Sequence, residues 1–180
     1  IAALATAARA FDDPEYLAAA EKAAAFVLTR LRGPDGRLLH RYRNGEAGIT
    51  ATLDDYAFML WALIEVYEAS FAPGYLRTAV KLARDLSARY WDCDHGGFFF
   101  TPDDVEIAVR QKPVFDGATP SGNSVAMYAL FLLGRMTANL EFEEMANRIR
   151  RVFAATVRES PIAYSYFLPG LDFMLGPNVE

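Results

Sequence analysis

The chain has 180 residues, a formal net charge of −5 and one cysteine, Cys93. That length suits a single domain with a real core, and the acidic balance without a basic stripe excludes an electrostatic nucleic-acid binder. The lone thiol excludes an internal disulfide or a cysteine-built zinc site and fits a reducing, cytoplasmic compartment.

Ile1–Phe11 is alanine-rich and apolar nearly all round, like the tail of a buried helix. Because the chain opens on Ile1 in what reads as mid-helix, a piece of a longer protein is expected. Asp12-Asp13-Pro14-Glu15 is a helix start, with proline in the first turn and acids beside it. Tyr16–Leu31 is then an amphipathic helix, ended by Gly33-Pro34-Asp35-Gly36. Arg37–Arg43 reads as a short strand and Asn44-Gly45 as a hairpin turn.

Thr52-Leu53-Asp54-Asp55 opens the next helix, and Ala57–Tyr67, apolar except for Glu65, must be interior. Pro73-Gly74 breaks it. Tyr75–Tyr90 is amphipathic, with Leu76, Ala79, Val80, Ala83, Leu86 and Tyr90 on one face. Phe98–Thr101, after Gly96-Gly97, reads as a second short strand. Arg110–Ser124 gathers Arg110, Lys112, Asp116, Ser121, Asn123 and Ser124 between two prolines and two glycines. Ser121 or Asn123 can cap the helix that follows, and Val125–Leu133 has no polar face, so that helix is interior too. Glu141–Glu159 is amphipathic, and Ile162–Leu175 is a last apolar segment, dented by Pro169-Gly170.

An inner apolar helix followed by an outer amphipathic one recurs three times. The junctions Tyr16-Leu17, Tyr75-Leu76 and Phe142-Glu143 are offset by 59 and 67 residues. Such units bury their apolar faces only by stacking. The expectation is an all-α, α/α-toroid-like array with short β-hairpins. The longest apolar runs, eight or nine residues, fall short of the roughly 18 a membrane span needs, so no membrane partner is expected. No signal peptide is visible.

Leu53-Asp54-Asp55-Tyr56-Ala57-Phe58, Tyr67-Glu68-Ala69, Gly96-Gly97-Phe98-Phe99 and Asp116-Gly117-Ala118-Thr119-Pro120-Ser121-Gly122-Asn123-Ser124 carry a resemblance. They resemble the C-terminal six-hairpin α/α toroid of the thioredoxin-domain-containing, spermatogenesis-associated, YyaL-like family, which is related to N-acylglucosamine 2-epimerases and six-hairpin glycosidases. The resemblance implies about half of such a toroid, without the thioredoxin domain: this stretch has no C-x-x-C and no thioredoxin-like βαβ pattern. It implies a pocket at one mouth, where loops enter the inner helices.

Carbohydrate chemistry follows as the expectation, with Asp54, Asp55 and Asp116 as candidate catalytic carboxylates. One would protonate a leaving oxygen and the other activate water, about 6.5–9.5 Å apart for inversion. Tyr56 and Trp61 are candidate stacking platforms, and Arg110, Lys112, Ser121, Asn123 and Ser124 candidate substrate-binding groups. The structural reading of the same residues is caps and turns: Asp54 as an N-cap, Asp55 as a first-turn acid, Asp-Gly as an ordinary turn pair. A non-catalytic helical scaffold is the alternative function. Epimerase chemistry is disfavoured, because His40 and His95 both lie off the inner helices. Asp92-x-Asp94 echoes a calcium loop only loosely, so neither metal nor cofactor is expected. Half a toroid would expose inner-helix edges, and a homodimer through them is expected.

Overall fold

Helix starts in this chain are set by prolines and short polar side chains. In the computed structural model, which describes residues 1–176, α1 (Ala2–Phe11) ends at Asp12 in a left-handed conformation. The Asp13 side chain then caps α2 (Pro14–Arg30), accepting from the Glu15 N–H at 2.9 Å, with Pro14 in the first turn. Asn44 and Gly45, with φ of 53° and 86°, turn strand β1 (Leu39–Arg43) antiparallel onto β2 (Glu46–Thr50). Positive φ at both central residues is what a two-residue hairpin requires.

Helix α3 (Leu53–Ser70) begins with a capping box between Thr52 and Asp55. Helix α4 (Pro73–Tyr90) starts on its proline, Ser121 caps α5 (Gly122–Thr137), and Asn139 caps α6 (Leu140–Glu159). A single 3₁₀ turn, Pro161–Ala163, leads into α7 (Phe167–Leu175). Pro169 sits in the first turn of α7, where its missing N–H has no helical partner to lose.

Burial sorts the helices into two layers. Ten residues of α3 and eleven of α5 are buried, spread around the helix rather than along one stripe. By contrast α4 and α6 bury one face each, Ala79, Leu82, Ala83, Leu86 and Tyr90 in the first and Phe142, Met145, Ala146, Ile149 and Phe153 in the second. Packing follows the same division: α1, α3, α5 and α7 lie side by side in that order, while α2, α4 and α6 back them. The all-α, α/α-hairpin architecture expected from the sequence is therefore present, as three hairpins and the leading helix of a fourth. Each fully buried Leu or Ile of α3 and α5, such as Leu60, Leu63, Ile64, Leu130 and Leu133, contributes about 1.5–3 kcal/mol. Helix α1 is less buried than its composition suggested, with only Ala2 and Ala5 enclosed, because it stands at the end of the inner row.

The expected strand at Phe98–Thr101 is reduced to one bridge between Trp91 and Phe98. Asn123 is the reason. Its amide takes both the N–H and the carbonyl of Phe98, so a side chain stands where a partner strand would be.

Candidate functional site

The polar string before α5 is tied up by its own backbone. Asn123 is fully buried; its Oδ1 accepts from the Phe98 N–H at 2.8 Å, and its Nδ2 donates to the carbonyls of Phe98 at 2.9 Å and Pro113 at 2.8 Å. Asp116 is also buried. Its Oδ1 accepts from the Ser121 N–H at 2.8 Å, and its Oδ2 from the N–H groups of Tyr166 and Phe167, both at 2.9 Å. It thus binds the loop before α5 to the start of α7, where a carboxylate is favoured by the unpaired N–H groups and the helix dipole. Ser121 Oγ accepts from the Ser124 N–H at 3.1 Å and shares a bond with the Ser124 hydroxyl at 2.9 Å.

The two cations of the stretch are committed in the same way. Arg110 donates to the carbonyls of Thr101 and Arg89 and lies 4.1 Å over the Phe99 ring. Lys112 Nζ reaches Asp92 Oδ2 at 2.7 Å and the Gly96 carbonyl at 3.1 Å. Burial would push the Asp92 carboxyl up, but Lys112 and the N–H groups of His95 and Asp94 outweigh it and hold the acid well below the usual carboxylate range. Ligand atoms of Asp92, Asp94 and His95 lie within 4.8 Å of one another. With Lys112 already on Asp92, that cluster is an internally satisfied turn.

The other candidate carboxylates open onto a cavity of about 500 Å³. It lies where the N-terminal ends of α1 and α3 meet the end of α2 and the β-hairpin, lined by Ile1, Leu39, His40, Asp54, Asp55 and Trp61 among others. Asp55 faces it as the capping acid of α3: its Oδ2 accepts from the Thr52 N–H at 2.7 Å and hydroxyl at 3.0 Å, and both its oxygens lie 3.0 Å from His40 Nδ1. Asp54 is different. Its Oδ1 is buried without a well-formed hydrogen bond. Burial pushes its carboxyl up and the charge of Asp55 adds to this, the Gly122 N–H offsetting only part. Gly122 has to be glycine for this contact, since a Cβ there would stand 2.4 Å from Asp54 Oδ1 and 2.5 Å from Leu53 Cγ.

Tyr56, a candidate platform, is in the core instead, 1% exposed, its hydroxyl accepting from the Leu38 N–H at 3.2 Å. Trp61 does line the cavity, its indole N–H fixed on Glu65 Oε1 at 2.9 Å. The site therefore brings together Asp54, Asp55 and Trp61, and leaves Arg110, Lys112, Asp116 and Ser121 in the supporting loop and Asn123 and Ser124 in the first turn of α5. His40 is exposed, as its place in a hairpin strand suggests, yet its Nδ1 reaches Asp55. The signal available was the hairpin preceding α3, which folds a strand side chain back onto the helix start.

No family model matches the chain. Among curated proteins, an uncharacterised protein of Caenorhabditis elegans is 32% identical over 170 residues, covering 91% of this chain and 23% of that protein. Spermatogenesis-associated protein 20 of Rattus norvegicus is 31% identical over 113 residues, 62% of this chain and 14% of the relative. The human protein of that name is 29% identical over 138 residues, 71% of this chain and 18% of the relative. The chain thus corresponds to less than a quarter of the length of the relatives it matches. Among the described residues, no helix is long and apolar enough to cross a membrane.

Proposed function

We propose that this chain is part of a six-hairpin-glycosidase-like α/α toroid of the spermatogenesis-associated, YyaL-like family, and that it binds a sugar at the mouth formed by α1, α3 and the β-hairpin. The observation that supports this reading is Asp54: a carboxyl with a buried oxygen that makes no well-formed hydrogen bond, pushed up by burial, beside Asp55 and an indole in a cavity of about 500 Å³. A cavity of that size with a few convergent polar groups is what small-molecule sites look like. A raised carboxyl beside a second carboxylate is what acid-assisted glycoside cleavage requires. In the hydrolytic form of the proposal Asp54 gives its proton to the leaving oxygen as the C–O bond breaks. Water adds to the anomeric carbon, and its proton passes to the Asp55–His40 pair. Asp116 serves this site by holding the loop beside Gly122, on which Asp54 rests.

A non-catalytic binding module or scaffold is the second reading. It is favoured by the complete internal bonding of Asp116 and Asn123, which leaves neither of these two buried side chains free for a ligand. The deciding experiment is a thermal-shift screen of the chain against mono- and disaccharides and uronic acids, with Asp54→Asn beside it. A sugar that stabilises the native chain and not the variant supports the mouth site. No response from a folded chain across the panel, or one that survives the substitution, removes it. Self-association through inner-helix edges belongs to the same proposal, since Phe11, Phe173 and Leu175 are exposed on α1 and α7. A sedimentation mass that stays monomeric as concentration rises would rule it out.

A further inference from the structure

A second cavity, of about 510 Å³, lies on the inner face, between side chains of α1, α3, α5 and the α7 region, with Trp61 as the wall it shares with the mouth. Its lining is aromatic: Trp61, Tyr128, Tyr166 and Phe173. Trp61 and Tyr166 have centroids 5.6 Å apart at 58°, Tyr128 and Phe173 are 5.5 Å apart at 78°, and Tyr128 stands perpendicular to Tyr166 at 6.5 Å. Rings set at such angles cannot all hide their faces in one another, and an aromatic face carries negative electrostatic potential.

Two carboxylates line the same cavity, Glu65 and Asp172. Glu65 is buried, its Oε1 held by the Trp61 indole N–H at 2.9 Å and its Oε2 by the Thr6 hydroxyl at 3.1 Å and by Arg9. Arg9 is shared with Glu68, so one guanidinium faces two carboxylates. Asp172 has no salt bridge among the described residues, which leaves the cavity with an excess of negative charge. Burial pushes the Tyr128 hydroxyl up, and Glu65 and Glu68 push it further against Arg9; burial, then Tyr128 and Glu65, push up the Tyr166 hydroxyl. Both stay neutral and keep their rings electron-rich at physiological pH.

We infer that this inner-face cavity binds a small organic cation, a quaternary or tertiary ammonium, held by Trp61, Tyr128, Tyr166 and Phe173 and neutralised by Asp172 and the net negative charge of the Glu65–Glu68–Arg9 cluster. Aromatic walls with nearby carboxylates are the standard chemistry for such ions. An anion is repelled by the two acids. A neutral sugar would meet only the Tyr128 and Tyr166 hydroxyls as side-chain donors, because the indole N–H is spent on Glu65 and the Thr6 hydroxyl on Glu65 and the Ala2 carbonyl.

The test titrates choline into the 180-residue chain carrying Trp91→Phe, so that Trp61 is the sole indole, and follows its fluorescence. The comparison ligand is 3,3-dimethyl-1-butanol, which has the shape of choline without its charge. The expected result is saturable quenching, with choline binding on the order of tenfold tighter than the neutral isostere. Asp172→Asn and Tyr166→Leu should each weaken choline several-fold. Equal binding of the isostere would overturn the inference, as would displacement of choline by a neutral monosaccharide. So would a flat titration on a chain whose circular dichroism and melting show it to be folded. Because the readouts are Asp172 and Tyr166, this failure is separable from failure of the mouth site, which is read through Asp54.

Discussion

Replacing Asn123 with Ala is the sharpest test of how the loop between α4 and α5 is held. The substitution removes three hydrogen bonds of 2.8–2.9 Å and strands the N–H and carbonyl of Phe98, a residue with 0% exposure, together with the Pro113 carbonyl. A buried group left unpaired costs roughly 1–3 kcal/mol, and the Pro113 carbonyl, only partly buried, regains some of its loss from water. Ala is the better helix former by about 0.5 kcal/mol near the start of α5, a small offset. The net expectation is a loss of about 3–5 kcal/mol, a large fraction of the roughly 5–15 kcal/mol typical of a domain. In a chain of this size that lowers the melting temperature by about 10 °C.

Urea unfolding followed by circular dichroism measures the energy, and hydrogen exchange localises it. The Phe98 amide should lose protection while amides at the centres of α3 and α6 keep theirs relative to the lowered global stability. Asn123→Asp is the control. It keeps the acceptor for the Phe98 N–H but sets a carboxylate against two carbonyls, so it should be at least as damaging at pH 7 and recover on acidification, when a protonated acid can donate once. If both variants lose less than about 1 kcal/mol, Asn123 does not organise the loop and the reasoning fails.

Asp116→Ala should cost about 2–4 kcal/mol, because it frees three backbone N–H groups at the start of α7 and in the loop before α5; chemical denaturation with an unchanged m-value is the check. Gly122→Ala should cost about 1–3 kcal/mol by overpacking against Leu53 and Asp54, and Asp54→Gly in that background should return part of the loss. Asp54 and Asp92 have opposite pH signatures. Asp54 is raised in the folded state, so its folded form holds the proton longer, and stability falls as pH rises from about 4, the ordinary carboxylate value, through the folded pKa. Asp54→Asn should therefore raise the melting temperature at pH 7, with the difference closing below about pH 4. Asp92 is depressed, so its contribution is present above about pH 4 and lost below it. Lys112→Met should flatten that acid limb in a pH series of melting curves.

What could be read from the chain alone was whatever is encoded locally. Pro14, Pro73, Thr52 and Ser121 mark helix starts because a first turn has free N–H groups to cap or omit. The even apolarity of Val125–Leu133 marks an inner helix because no face of it could meet water. The bonds that fix the site are not local. Asn123 meets Phe98 from 25 residues away and Asp116 meets Tyr166 from 50. In sequence, the amide and carboxylate of a latch look the same as those of a substrate clamp. Glu65 was visible as the one acid in an apolar helix, but its partners Thr6 and Arg9 stand 59 and 56 residues earlier. The contact of His40 with Asp55 likewise depends on how the hairpin folds against α3.

The long connection between α4 and α5 is pinned on both sides of an exposed stretch. Phe100 gives its carbonyl to the Leu53 N–H and its own N–H to the Gln111 carbonyl, while Asp103, Asp104 and 106–109 face solvent. A cut between them would leave a leading piece with α1 to α4 and a trailing piece with α5 to α7, each carrying one side of the large apolar seam between α3 and α5. The chain thus contains a natural place to be divided and rejoined. Two separately expressed fragments meeting near position 107 have the surface to reassemble without a covalent link.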